Sequence, residues 1–213
     1  MLRMAVVVDY QNMHLTAHEY FTKPHGYKPH QALIDPFKLA FQIAAAKNAT
    51  TDSGFHVEVS RIEVFRGIPS AKFDPQGHWR NQKQRNNWMR GRVGLIDVTL
   101  RPLKYGYRKV DGCSVPDPTN AQEKGIDVLC ALSLVRLARS GHYDVVVLAS
   151  RDTDLAPAID EAAQVGTAKI EAVKWFDRDV PQSRGNLPTE SKIWTTSLTY
   201  QHFQNCLDHY NYS

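Results

Sequence analysis

Four aspartates stand where a chain of this kind can act on a phosphate. Asp9 closes the apolar run Met4-Ala5-Val6-Val7-Val8. Asp152 and Asp154 follow a second apolar run, Val145 to Leu148, within Ser150-Arg151-Asp152-Thr153-Asp154. Asp127 opens an apolar-periodic stretch after Glu123-Lys124-Gly125-Ile126. In an open α/β sheet, functional groups gather beyond the carboxyl ends of the strands. Carboxylates drawn together there repel one another unless a cation intervenes. Mg²⁺ and Mn²⁺ take hard oxygen ligands and keep waters for chemistry. A metal so held orients a water and stabilises charge on a phosphodiester. Each aspartate taken singly has a plainer reading, because caps and turns recruit this residue routinely. Their joint placement at strand ends is what points to a site.

The elements that must position these acids can be read from hydrophobic pattern. Met4 to Val8 is a continuous, mostly β-branched run, expected as a central parallel strand buried on both faces. Val145 to Leu148 reads the same way, and the two are expected to be neighbours. Asp35 and Pro36 start a helix running to Lys47. His56 to Phe65 alternates as a strand, residues 76 to 91 form a polar helix, and Val93 to Leu100 a further strand. Asp111 to Asn120, rich in Pro, Asp and Gly, reads as a loop. Asp127 to Arg139 and Asp154 to Gln164 are helices, Ala168 to Phe176 is a strand, and Thr195 to Leu207 a closing helix. This alternation predicts one domain over residues 1–213, a three-layer α/β sandwich with a mostly parallel central sheet.

The 213 residues carry a net charge of +4 that is unevenly spread. Residues 78–109 hold nine basic residues against one acid, Asp97, a local net of +8. The remainder has 17 basic and 21 acidic residues, a net of −4. An acidic body with one basic segment suggests a polyanionic partner. On a helix, Arg80, Lys83 and Asn87 share a face, with Arg85 and Arg90 nearby. These cations are expected to contact phosphates, and Arg101, Lys104, Arg108 and Lys109 to extend the surface. Trp79 and Trp88 are expected to be core anchors.

Other chemistries find less support. No GxGxxG or GxxxxGK[ST] follows any strand, which argues against a nucleotide cofactor. Ser150 lacks a GxSxG elbow. His14 and His18 are four apart but have no third ligand, so hydrogen-bonded histidines are expected. Cys113, Cys130 and Cys206 form neither a disulfide framework nor a CxxC knuckle, which fits a reducing cytoplasm. There is no long apolar run for a membrane span, and Met1 to Asp9 lacks the features of a secretory signal. The sequence carries no signal for an oligomeric state.

Asp9-x-x-Asn12, Glu123-Lys124-Gly125-Ile126-Asp127 and Ser150-x-Asp152-Thr153-Asp154, in that order, resemble the NYN domains of the PIN-like nuclease superfamily. The resemblance covers roughly residues 4–176. It implies a Rossmann-like PIN fold, RNA as substrate, and Asp9, Asp127, Asp152 and Asp154 as metal-binding acids. Asn12 would complete the first-strand motif, and Ser150 would orient a neighbouring carboxylate. Family members usually carry Gly where this chain has Arg151. That change places a permanent cation beside the acids, to bind phosphate or to neutralise them. The stretch 66–92 is a more basic, Trp-containing insert.

The expectation is a Mg²⁺- or Mn²⁺-dependent, endonucleolytic ribonuclease, with catalytic Asp9, Asn12, Asp127, Asp152 and Asp154. RNA would be held by Arg80, Lys83, Arg85, Arg90, Lys124 and Arg151. The rival is a non-catalytic RNA-binding or protein-interaction module, favoured if Arg151 pairs with Asp9 or Asp152. A phosphatase with an Asp9 nucleophile is weaker, because Gln11 stands where a second Asp is wanted.

Overall fold

Every main-chain hydrogen-bonding group of a buried strand needs a partner, so the apolar runs must sit inside a sheet. In the computed structural model, which describes residues 1–212, they do. β1 (Leu2–Asp9) is fully buried from Met4 onward. It lies between β2 (Val57–Ile68) and β6 (Val145–Ala149), parallel to both. Its neighbour on the second side is thus the other fully apolar strand. β3 (Ile96–Pro102) extends the sheet beyond β2, and β7 (Lys169–Trp175) and β8 (Trp194–Leu198) extend it beyond β6. The order is β3-β2-β1-β6-β7-β8, all parallel.

Successive side chains of β1 serve opposite faces, as a pleated strand requires. Met4, Val6 and Val8 join one core with α1 (Tyr10–Ala17), α2 (Pro36–Asn48), α6 (Tyr200–Cys206) and Trp88 of α3 (Pro75–Met89). Ala5 and Val7 join the other, beneath α4 (Ile126–Arg139) and α5 (Ala156–Val165). The result is a three-layer α/β sandwich. The chain winds outward from β1 through β2 and β3, then returns and winds the other way from β6. The carboxyl ends of β1 and β6 therefore flank the switch point, where such sheets leave a crevice.

Several local features follow from residue type. Asp35 caps α2, its Oδ1 accepting from the Phe37 amide at 2.8 Å, with Pro36 in the first turn. Asp74 caps α3 through the Gly77 amide at 2.8 Å. His14 and His18 are buried and hydrogen-bonded, His14 Nε2 to the Pro29 carbonyl at 2.9 Å and His18 Nδ1 to Thr22 Oγ1 at 2.7 Å.

The structure corrects three expectations here. The Asp111–Asn120 stretch is mostly strand: β4 (Lys104–Val110) and β5 (Cys113–Gln122) form an antiparallel hairpin apart from the main sheet. Asp111 and Gly112 turn it with φ of 49° and 79°, the pair of positive values a tight hairpin turn needs. Pro116 and Pro118 are tolerated because the ribbon is isolated and exposed. The 195–207 segment is not a single helix, since Trp194–Leu198 pairs with β7 before α6 begins. Trp79 is 63% exposed and anchors no core, whereas Trp88 is fully buried. The insert 66–92 comprises the end of β2, a turn and α3.

Candidate active site

Val8 and Ala149 are partners across β1 and β6, so Asp9 and Ser150 leave the sheet side by side. The Ser150 hydroxyl donates to Asp9 Oδ2 at 3.1 Å. The other oxygen, Oδ1, accepts from the Asn12 amide at 3.1 Å and caps α1. Asp9 thus does perform the plain capping role, with one oxygen only. Ser150 Oγ also accepts from the Asp152 amide at 3.1 Å, which sets the path of the loop after β6. The Asn12 side-chain carbonyl accepts from the Arg151 amide at 2.8 Å. Asn12 therefore staples that loop to the start of α1. It is a positioning residue in this arrangement.

The charges of three further acids reach Asp9. Burial pushes the Asp9 carboxyl above its usual range, and the charges of Asp152 and Asp127 push the same way. Bonds from Asn12 and Ser150 only partly oppose this. Asp127 lies in the first turn of α4, whose N-terminus opens at this edge. Glu123, just before that helix, is likewise pushed up by burial and by the charge of Asp9. Its Oε1 accepts from the Gly67 amide at the end of β2. With its amide turned to donate, Gln11 reaches Glu123 Oε1 at 2.7 Å. Cys130, buried on α4, feels Asp9, Asp127, Glu123 and Asp152 together; burial first and these charges second raise its thiol. Asp154 is exposed and bonds Asp152 Oδ1 through its amide at 3.0 Å, so it lies at the outer margin.

Glu123 is the site residue that reading the sequence for strand-end aspartates passes over. Its signal is its position immediately before the turn that enters α4. Gly125 there has φ +75°, and a Cβ would come within 3.3 Å of the Arg101 guanidinium.

The cations divide. Arg151 carries no ion pair to the acids among the described residues. Its guanidinium donates to the Tyr20 hydroxyl at 2.9 Å and reaches the Gly185 carbonyl at 3.5 Å. The expected cation beside the acids is thus directed away from them, braced against α1's extension and the loop before β8. Lys124 is exposed at the acid edge. Arg80 and Lys83 are exposed on the first nine residues of α3, which begins at that same edge because it follows β2. Arg85 donates to the Val98 carbonyl at 3.0 Å, and Arg90 follows the far end of α3, where β3 starts. Arg90 is therefore at the sheet edge opposite the acids.

Oxygen donors of this kind suit a hard divalent cation, and their mutual repulsion is what such an ion relieves. Among the described residues, no three acidic, histidine or cysteine side chains form a ready-made ligand shell.

The model of the NYN domain matches residues 3–173. The chain belongs to the NYN domain family. NYN domains are PIN-like nuclease domains, generally of ribonuclease type, and such nucleases generally use divalent metals. A crystal structure of a protein of unknown function from Vibrio parahaemolyticus is similar over 97% of this chain and 90% of that one, at 21% identity and a TM-score of 0.46. No curated protein matches the sequence. As an NYN domain the chain carries a PIN-like, nuclease-type domain, and no helix among its described residues is long and apolar enough to cross a membrane.

Proposed function

We propose that this NYN domain is a Mg²⁺- or Mn²⁺-dependent ribonuclease that cuts RNA internally. What supports the proposal is that Asp9, beside Ser150 at the switch point, lies within the field of Asp127, Asp152 and Glu123. Asp9, Asp127 and Asp152 would hold the metal, with Glu123 and the outer Asp154 completing the negative field. A divalent ion there supplies Lewis acidity toward the phosphate and a more acidic water. Hydrolysis bonds the water oxygen to phosphorus as one bridging P–O bond breaks; the water loses a proton and the departing oxygen gains one. The protein's own part is positional. Ser150 fixes the Asp9 carboxylate, Asn12 holds the Asp152 loop against α1, and Lys124 meets the phosphate chain. An open sheet edge lets a flexible strand lie across the acids, which favours internal cleavage. The three cysteines are free, which suits a reducing compartment such as the cytoplasm.

The non-catalytic alternative is favoured if Arg151 pairs with Asp9 or Asp152, and the bonds of Arg151 to Tyr20 and Gly185 weigh against that. Labelled RNA incubated with Mn²⁺ tests the proposal. Asp9→Asn and Asp152→Asn are expected to lower cleavage at least about 100-fold, a typical loss when electrostatic machinery is removed. Unchanged cleavage in both variants would sink the assignment. Absent Mn²⁺ binding by calorimetry, with salt-sensitive RNA binding retained, would establish the non-catalytic reading.

A further inference from the structure

Beside the acids runs a pair of joined clefts that the acid chemistry does not use. The smaller, about 230 Å³, is lined by Gln11, His14, Arg66 and Arg80 among others. Gln11 is the residue that reaches Glu123, so this cleft lies next to the acid edge. The larger, about 620 Å³, lies between α3 and the chain after α6, with Trp79, Arg80, Lys83 and Tyr210 in its walls. The two share His30, Leu33 and Arg80. No acidic residue lines either one.

The larger cleft is built rather than incidental. Asp208 accepts from the buried Trp88 indole at 2.8 Å and from the Tyr212 hydroxyl at 2.6 Å. Asn87 donates to the same hydroxyl at 3.0 Å. Tyr210 is held by its amide on Asp208 Oδ1 at 3.0 Å and by the Tyr212 ring, 4.8 Å away. The segment is therefore fastened to α3, yet Tyr210 remains 49% and Trp79 63% exposed. Two aromatic faces left in water beside cations, in a cleft whose lining holds no acidic residue, are unfavourable as structure and suited to a ligand with an anionic backbone and flat apolar rings.

We propose that this cleft is a base-binding subsite for single-stranded RNA: an unpaired base stacks on Trp79 and Tyr210 while Arg80 and Lys83 contact its flanking phosphates. The strand then passes Arg80 and Gln11 to reach the acids. In a duplex the bases stack on each other and are not available to these rings. The proposal deepens the ribonuclease reading and rests on it.

The test measures binding by the full chain in EDTA, where no cutting occurs. The probes are a short fluorescent single-stranded RNA and a blunt duplex of equal length. Trp79→Ala and Tyr210→Ala are expected to weaken single-strand binding about 5- to 150-fold each, the range for removing one stacked ring, with duplex binding little changed. Trp79→Phe is expected to recover much of the loss, and Trp194→Ala, a Trp 48% exposed on the edge strand, to have no effect. Unchanged single-strand affinity, or equal losses on both probes, overturns the subsite. If the subsite falls while Asp9→Asn still abolishes Mn²⁺-dependent cleavage, the nuclease reading stands alone. If the wild type binds neither probe, the subsite falls; the nuclease reading falls only if the wild type also fails to cleave RNA with Mn²⁺.

Discussion

At the scale of single residues, this domain separates groups kept neutral for structure from groups crowded for chemistry. His14 belongs to the first kind. Burial lowers its pKa to about 4, with the Arg66 and His18 charges acting in the same direction and the Pro29 carbonyl opposing. The neutral ring donates from Nε2 to that carbonyl. The folded pKa lies below the unfolded value, so the unfolded chain takes up the proton first as pH falls. Stability from this residue is complete above about pH 6.5 and is lost progressively toward pH 4. At pH 5 the loss is on the order of 2 kcal/mol. His14→Gln is expected to flatten the fall in melting temperature between pH 7 and pH 5, read by thermal unfolding. An unaltered slope would show that other groups carry it. Asp9 belongs to the second kind: one oxygen caps a helix and the other faces Ser150 within a field of acids.

At the scale of elements, what is legible in the sequence is whatever a single strand or helix declares by itself. β1 and β6 announce themselves because a strand buried on both faces must be apolar throughout, and their adjacency follows from that shared property. Asp9, Asp127 and Asp152 are therefore assignable to one edge. Glu123 is not, since its place depends on an amide of β2 that lies 56 residues away. The hairpin reads as a loop because its prolines and glycine outweigh the Asp111-Gly112 turn signal. β8 is hidden because only Thr196 and Leu198 of it are buried, too short a pattern to stand out from the helix that follows. Trp79 misleads because burial is the usual fate of tryptophan, and here a ligand surface keeps it out. The strap from β2 to the hairpin is also testable. A Cβ on Gly67 would lie 2.4 Å from Leu103 Cδ2 and 2.5 Å from Glu123 Oε1. Glu123 Cγ would lie at 2.7 Å as well, so Gly67→Ala is expected to displace the whole Glu123 side chain from the Gly67 amide, with a lowered melting temperature. Cleavage should fall several-fold with folding intact; undiminished cleavage would remove Glu123 from the site.

At the scale of the whole molecule, the uneven charge acquires a geometry. Acids gather at one crevice, while the cations of early α3 and of the hairpin flank it, and Arg90 lies at the opposite edge. Lys104, Arg108 and Lys109 are exposed on the hairpin, beside Tyr107, which is 72% exposed. Replacing these three cations by Ala is expected to shrink the slope of log Kd against log salt by about 0.7 for each phosphate they neutralise. A salt titration of single-stranded RNA binding reads this directly, and an unchanged slope would show that the hairpin touches no phosphate.

The position of that hairpin has a consequence for how the domain can be divided. Asp9, Asn12 and Trp79 precede the Asp111-Gly112 turn, and Glu123, Asp127, Ser150 and Asp152 follow it. The turn is exposed and lies outside the six-stranded sheet. One peptide bond cut there would distribute the two halves of the site between separate polypeptides. They would remain joined by the β1–β6 and β4–β5 ladders, the helix packing around the sheet, the buried Lys47–Glu171 ion pair and the Ser150 and Asn12 bonds. If the domain is the ribonuclease proposed above, RNA cleavage would then report reassembly of the two fragments, making it a natural split reporter.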